Sequence, residues 1–260
     1  MSTLLERGRA GECLSDLNIV DLHGHLGLYS FAYPDPAPPS IVKVMDRIGV
    51  AKVVCSHART MSADTEWGNQ ETLKFMRAFP GRVLGYVILW PADAQTVRAA
   101  TERWLDQGFT GIKLHNSTGF AYTESAYAPA LEIANQRRLP VLLHTWGEES
   151  VFRQVDQLAG QYPEASFLLA HSGCCNEAGY IHAARLHGNV YLDLCLSLCP
   201  RGLVKRLADA VGADKIVWGS DCNFFAMTKQ LGKVLGAEIP DSDKIKILAT
   251  NAQRILGRAG

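Results

Sequence analysis

Apolar residues along the chain gather into eight short runs rich in β-branched and aromatic side chains, each closed by polar or turn-forming residues. The runs are NIVDLH (18–23), AKVVCSH (51–57), RVLGYVILW (82–90), FTGIKLH (109–115), LPVLLHT (139–145), ASFLLAH (165–171), NVYLDLC (189–195) and KIVWGSD (215–221). Runs of this kind predict strands. Between them, in residues 40–50, 64–79, 92–108, 126–138, 148–161, 176–188 and 201–212, apolar positions recur at the three- and four-residue spacing of a helix face. A last helical pattern, residues 241–257, closes the chain with Ser242 or Asp243 as its expected cap, and Gly49, Gly108 and Gly212 stand where helices should end. The strand runs are continuously apolar, not alternating, which implies burial on both faces, as in a parallel sheet covered by helices. Strand-helix units recurring roughly every 25 to 35 residues predict a closed (β/α)8 TIM barrel, one domain over residues 1–260. An open sheet of six or seven strands is the alternative, but no G-x-G-x-x-G follows the first strand to support it.

Composition narrows the partners. The 260 residues are 47% apolar, and lysine plus arginine equals aspartate plus glutamate at 26 each. Balanced charge offers no global field to nucleic acid or an anionic membrane, so a small-molecule substrate is expected and neither of those partners is. The N-terminal MSTLLERGRAGECLSD carries charge throughout, and no stretch approaches the ~18 apolar residues of a membrane span, so a soluble, cytoplasmic protein is the expectation. Seven cysteines without a C-x-x-C spacing read as reduced thiols, mostly small buried apolar residues. A homodimer is the default expectation for a barrel with exposed helices. The proline-rich YSFAYPDPAPPS (29–40) reads either as a lid over the first strand or as a connector.

The histidines change the picture further. In such a barrel functional groups collect at the carboxyl ends of the strands. His23, His25, His57, His115, His144 and His171 all fall there, and only His182 and His187 lie elsewhere. One imidazole near a strand would normally be a locally hydrogen-bonded residue; convergence changes the odds. His23 and His25 share a face by the two-residue strand period, and barrel closure carries His144 and Asp221 toward them. Three imidazoles and a carboxylate around an open position form a catalytic set of the Zn2+ type.

DLHGH at strand one, GIKLH at four, VLLHTWG at five, LLAHSG at six, IVWGSD at eight and NAQRILG in the last helix resemble, in order and across essentially the whole chain, the amidohydrolase superfamily of metal-dependent barrels. The branch resembled is the amidohydrolase-related group that contains aminocarboxymuconate semialdehyde decarboxylase and 2-pyrone-4,6-dicarboxylate lactonase. The resemblance implies metal ligation by His23, His25 and His144, with Asp221 as ligand or base and His171 beside the metal-bound water. Members with two metals use a strand-four bridge, and Lys113 stands on that strand. One ion is expected here, with Lys113 either paired to a carboxylate or touching substrate. Zn2+ is the expected metal; Mn2+, Co2+ and Fe2+ suit the same ligands.

Bound Zn2+ lowers the pKa of water from 15.7 to about 7, which supplies a nucleophile. Asp221 would take its proton and return it to the leaving group, while His171 polarises the carbonyl. The main expectation is therefore a metal-dependent hydrolase of a lactone, ester or amide. Non-oxidative decarboxylation of a small carboxylic acid, with Asp221 protonating carbon, is the alternative, placed second because the chain is compact. A catalytically inactive metal-binding barrel is the other reading. Trp146 would wall the substrate site, and His115 would touch substrate or bond its own loop. Arg59 is read as an exposed ion-pairing residue or a substrate clamp, and His57 has weaker support. Asp21 shares the parity of the two histidines and reads as a strand-end turn bond or a support for one imidazole, and Asn251 reads as a helix cap.

Overall fold

The computed structural model describes residues 2–29, 38–195 and 198–258. Most of the proline-rich segment expected as lid or connector lies outside the described residues. Eight parallel strands, β1 (Ile19–Leu26), β2 (Val50–His57), β3 (Val83–Ile88), β4 (Gly111–Leu114), β5 (Pro140–Leu143), β6 (Ser166–Leu169), β7 (Val190–Asp193) and β8 (Ile216–Val217), pair in chain order. The seam between β8 and β1 is closed by Leu22 N donating to Trp218 O (3.0 Å), Asp221 N to His23 O (2.7 Å) and a parallel bridge between Gly24 and Cys222. The barrel and all eight predicted strands are thus present.

Helices α1 (Leu4–Arg9), α2 (Pro38–Ile48), α3 (Thr65–Ala78), α4 (Ala94–Asp106), α5 (Ala128–Gln136), α6 (Glu149–Gln161), α7 (Glu177–Leu186), α8 (Leu203–Val211), α9 (Met227–Leu235), α10 (Asp241–Ile245) and α11 (Asn251–Gly257) accompany them. Two of these, α1 and α9, have no counterpart in the pattern reading. In α9 the stripe Met227, Leu231, Val234 and Leu235 is buried, but the glycines at 232 and 236 break the sequence signal. Gly49, Gly108 and Gly212 take positive φ (86°, 95° and 80°), as helix ends require.

The closing helix is corrected in two respects. Pro240 occupies the N-cap of α10, where no side chain caps the helix, while Asp241 accepts from Leu4 N (2.8 Å). A π-helical turn, Lys246–Thr250, joins α10 to α11. Asn251 is not a cap; its buried Nδ2 donates to Ala213 O and Ile216 O (both 2.8 Å) and ties the helix to the start of β8.

Two apolar layers result. Val20, Leu22, Val54, Tyr86, Leu142, Leu168, Tyr191 and Val217 fill the barrel, with Ala252 and Ile255 packed against that layer. The alternate strand residues, among them Ile19, Val53, Ile112, Val141, Phe167 and Leu192, pack against the helices. Strand parity then fixes what stands above the inner layer: Lys113 on β4, His144 beyond Leu142, and Asp193 and Cys195 beyond Tyr191. In β1 the register slips. Asp21 pairs with Val53 but Gly24 pairs with Cys55, so one extra residue is inserted between Asp21 and the second histidine. That bulge separates Asp21 from the histidines, contrary to the shared parity expected from the sequence.

Candidate metal and active site

Where the strands end, three donor atoms meet. His23 Nε2 lies 3.0 Å from His25 Nε2, and Asp221 Oδ1 lies 3.0 Å from His25 Nε2 and 3.7 Å from His23 Nε2. All three side chains are buried. His144, expected as a fourth member, does not bring a donor atom within 4.8 Å of all the others. It stands one step outward, with Nδ1 3.3 Å from His171 Nε2 and its ring stacked on His115 at 3.8 Å.

Hydrogen bonding fixes which nitrogens carry protons. Asp193 Oδ2 approaches His23 Nδ1 at 2.8 Å, as does Cys195 Sγ, so the neutral ring donates from Nδ1 and leaves a lone pair on Nε2. That lone pair faces His25 and the Asp221 carboxylate, an electron-rich corner that calls for a cation. Lys113 Nζ, 3.3 Å from His23 Nε2, supplies one positive neighbour. A divalent ion fits the same imidazole and carboxylate donors, and Asp193 behind His23 is the kind of support that orients a ligating imidazole. A second relay sets His144. The Cys195 carbonyl can only accept, so His171 donates to it from Nδ1. His171 Nε2 then accepts from His144 Nδ1, which leaves His144 Nε2 as a free lone pair.

Asp193 and Cys195 were missed in the sequence reading. The available signal was parity, since an aspartate two residues beyond Tyr191 in an apolar strand must point into the barrel. Space around Asp193 is tight: a Cβ added to Gly219 would stand 2.4 Å from Asp193 Oδ1 and 2.5 Å from His23 Cβ. Gly219→Ala is therefore expected to lower stability by about 1–3 kcal/mol, the usual range for overpacking, and to weaken metal binding. A denaturant melt with a metal titration checks both; a variant that matches the parent in each would show that the strands give way freely.

Asp21 holds the frame. Its Oδ1 accepts from His23 N (3.0 Å) and Ser220 N (2.9 Å), and Ser220 Oγ donates to Oδ2, so β1 is locked to the β8 end and no imidazole is touched. His171 and Asp221 both take left-handed backbone, φ 58° and 57°. Histidine and aspartate tolerate this region better than branched residues, and the turns aim both side chains at the barrel axis.

The other expected residues divide. His115 accepts from Ser117 N (3.1 Å), a local bond, yet its ring also lines the pocket. Trp146 is part-exposed and walls the same pocket, 5.0 Å from the His171 ring. Lys113 lies wholly inside the barrel and is not among the pocket-lining residues. His57 accepts from Arg59 N (3.1 Å) and packs on Trp67, while Arg59 is half-exposed with Asp64 at 4.0 Å. The pocket, about 210 Å³, is also lined by Tyr29, Met61, Phe224 and Phe225, with Phe224 stacked on His25 at 4.6 Å. Among the described residues its lining holds no lysine or arginine.

Burial shapes the charges. It depresses the pKa values of His23, His115, His144 and His171, and brings His57 down to about 4. Burial also raises Asp21 to about 7 and Asp193 to about 6. Although burial alone would raise Asp221, the hydrogen bond from His25 and the surrounding imidazoles hold it well below the usual carboxylate range. Lys113 is lowered by burial to about 8.

These shifts predict acid sensitivity. Below pH ~6.5 the unfolded chain protonates histidines that the fold keeps neutral, so stability falls as pH falls, by up to ~1.4 kcal/mol per pH unit for each such imidazole. Asp21 and Asp193 act in the opposite sense between about 7 and their ordinary range, but the depressed imidazoles outnumber them. Chelator-treated protein should melt at a clearly lower temperature at pH 5.5 than at pH 7.5. An unchanged melting temperature would contradict the buried, neutral histidines.

The chain belongs to the amidohydrolase family, whose sequence model matches residues 20–258. No curated protein matches the sequence. Among solved structures, the barrel is similar to 2,6-dihydroxybenzoate decarboxylase complexed with 2,6-dihydroxybenzoate, at 14% identity over 92% of this chain and 99% of that one, TM-score 0.76. It is also similar to dihydroxybenzoic acid decarboxylase from Polaromonas sp. with bound manganese and 2-nitroresorcinol, at 15% identity over 92% and 97%, TM-score 0.72. A third is 5-carboxyvanillate decarboxylase from Sphingomonas paucimobilis, at 15% identity over 94% and 100%, TM-score 0.70. At such identities the likeness is one of fold.

The hydrolase expectation is corrected by these neighbours, which are decarboxylases. Compactness does not separate the two chemistries: this barrel spans 97–100% of the Polaromonas and Sphingomonas decarboxylase chains. Zinc as the particular metal gains no support, since the Polaromonas enzyme holds manganese; the donors here suit a divalent ion of either kind. Among the described residues no helix is long and apolar enough to cross a membrane.

Proposed function

We propose that this protein is a metal-dependent, non-oxidative decarboxylase of a small aromatic carboxylic acid. The observation that carries the reading is the convergence of His23, His25 and Asp221 at the head of a ring-walled pocket of about 210 Å³. A pocket below the ~300–1,000 Å³ of drug-sized sites suits a single ring. The decarboxylases of similar fold support the reaction class.

His23, His25 and Asp221 would hold the ion, with the lone pair on His144 Nε2 free to join them and Mn2+ or Zn2+ as the metal. When bound, that ion would fix the substrate's carboxylate or adjacent hydroxyl and stabilise negative charge there. The chain's own residues supply the rest. Trp146 and Phe224 would hold the ring flat between them, and His115 would touch its edge. Asp221, ionised at rest, would take a proton from the substrate's adjacent hydroxyl and hand it to the ring carbon that bears the carboxyl group, and water would reprotonate the phenolate left behind. As that C–C bond breaks, its electron pair stays on the carbon and takes the proton, and CO2 departs. His171, held by the Cys195 carbonyl, orients His144. The pocket's apolar walls favour release of neutral CO2 over retention of a charged group. Lys113 is assigned to the support of His23 and not to substrate.

The test is incubation of manganese-loaded protein with 2,6-dihydroxybenzoate and with 5-carboxyvanillate, following CO2 and the aromatic absorbance together. The reading expects one CO2 for each acid consumed. Lactone or ester hydrolysis without any CO2 from an aromatic acid panel would refute it.

A further inference from the structure

Cys174 and Cys175 are neighbours in the turn that leads from β6 to α7, and their sulfurs stand 3.3 Å apart. Consecutive side chains on extended backbone point to opposite sides. Here Cys175 takes left-handed backbone, φ 58°, which turns its thiol back toward Cys174; a residue with a Cβ adopts that region only at a cost. The two thiols differ in access. Cys174 is buried, whereas Cys175 is exposed.

Neither cysteine lines the catalytic pocket, but both belong to a turn packed behind its wall. The turn starts at His171, whose carbonyl accepts from Cys174 N at 3.0 Å. Cys174 O accepts from Asn176 N at 2.6 Å and stands against Gly147, where an added Cβ would meet it at 2.5 Å. Asn176 Nδ2 donates to Gly147 O at 3.3 Å, a second tie at the same place. Gly147 directly follows Trp146, the part-exposed indole of the pocket wall. The peptide joining the cysteines therefore abuts the loop that carries Trp146.

We propose that Cys174 and Cys175 form a two-electron oxidation site, closed to a disulfide by hydrogen peroxide and reopened by a dithiol, and that closure displaces Trp146. Cys175, the sulfur that solvent reaches, attacks the peroxide: an S–O bond forms, the O–O bond breaks, and water leaves with the thiol's proton, giving a sulfenic acid. Cys174 Sγ then attacks that sulfur. The S–S bond forms, the S–O bond breaks, and the departing hydroxide takes the Cys174 proton as a second water. The two electrons given up by the thiols thus reduce one peroxide to two waters. Bond formation draws the sulfurs together by about 1 Å and closes a tight ring around the intervening peptide, which must tip and take Cys174 O with it. Gly147 lies in the way, so its loop moves. The inference holds whatever reaction the pocket performs.

The test treats zinc-loaded protein, whose metal is redox-inert, with a slight excess of hydrogen peroxide and follows the mass of the tryptic peptide 154–185, which holds these two cysteines and no other. A loss of about 2 Da, reversed by dithiothreitol and absent from C175S, is expected. C175S alters only an exposed thiol, so its fold is preserved. Indole emission of the whole protein should shift in step with the mass loss, and W146F should abolish that shift. An unchanged peptide, oxygen added to Cys175 with no bond to Cys174, or a disulfide between two chains would overturn the site. Mass loss without a change in Trp146 emission would overturn its link to the pocket.

Discussion

Asp221→Asn is expected to lower turnover by roughly 10²–10⁴-fold, the range associated with loss of a positioned proton donor. The carboxylate lines the pocket, 3.0 Å from His25 Nε2, on a left-handed turn whose backbone N–H is bound to His23 O. Asparagine keeps the size and the accepting oxygen, so the turn and part of the metal affinity should persist while the proton carrier is gone. Metal content measured beside turnover separates these effects. Retained metal with lost turnover is the expected pair of results; a variant that turns over at the parent rate would remove Asp221 from the chemistry.

Asp193→Asn is expected to have the next largest effect, a 10–100-fold loss of metal affinity. Asp193 touches no substrate-facing surface. Its Oδ2 accepts the His23 proton at 2.8 Å, and its Oδ1 accepts from Cys195 N at 3.2 Å. An asparagine that keeps the Cys195 contact must turn its NH2 toward His23 Nδ1–H, donor against donor. The His23 ring then either rotates or changes tautomer, and Nε2 no longer offers its lone pair to the ion. Competition with a coloured chelator would read this directly. Unchanged affinity would mean that Cys195 Sγ, also 2.8 Å from His23 Nδ1, suffices to hold the ring.

Much of this was legible in the chain because strand runs and helix spacing are local signals. All eight strands, and the histidines at their ends, follow from apolar runs closed by polar residues. What was not legible depends on contacts across the barrel. The bulge in β1 depends on pairing with β2, so Asp21 could not be separated from His23 and His25 by counting residues. The role of Asp193 required knowing that the end of β7 faces the end of β1. His144 was placed correctly at its strand end, yet its ring is turned by a bond to His171, a matter of side-chain rotation that no spacing encodes. Asn251 sits at a position that suits a cap, but the π-helical turn before it carries its amide to β8 instead. Hydrolysis and decarboxylation require the same donors, and chain length proved a poor guide between them.

The central claim is that His23, His25 and Asp221 share one divalent ion. Crystals grown with manganese and measured at its absorption edge test this most directly. The account predicts a single anomalous peak bonded to His23 Nε2, His25 Nε2 and an Asp221 oxygen. An empty corner at saturating manganese, or a peak held by other residues, would contradict it.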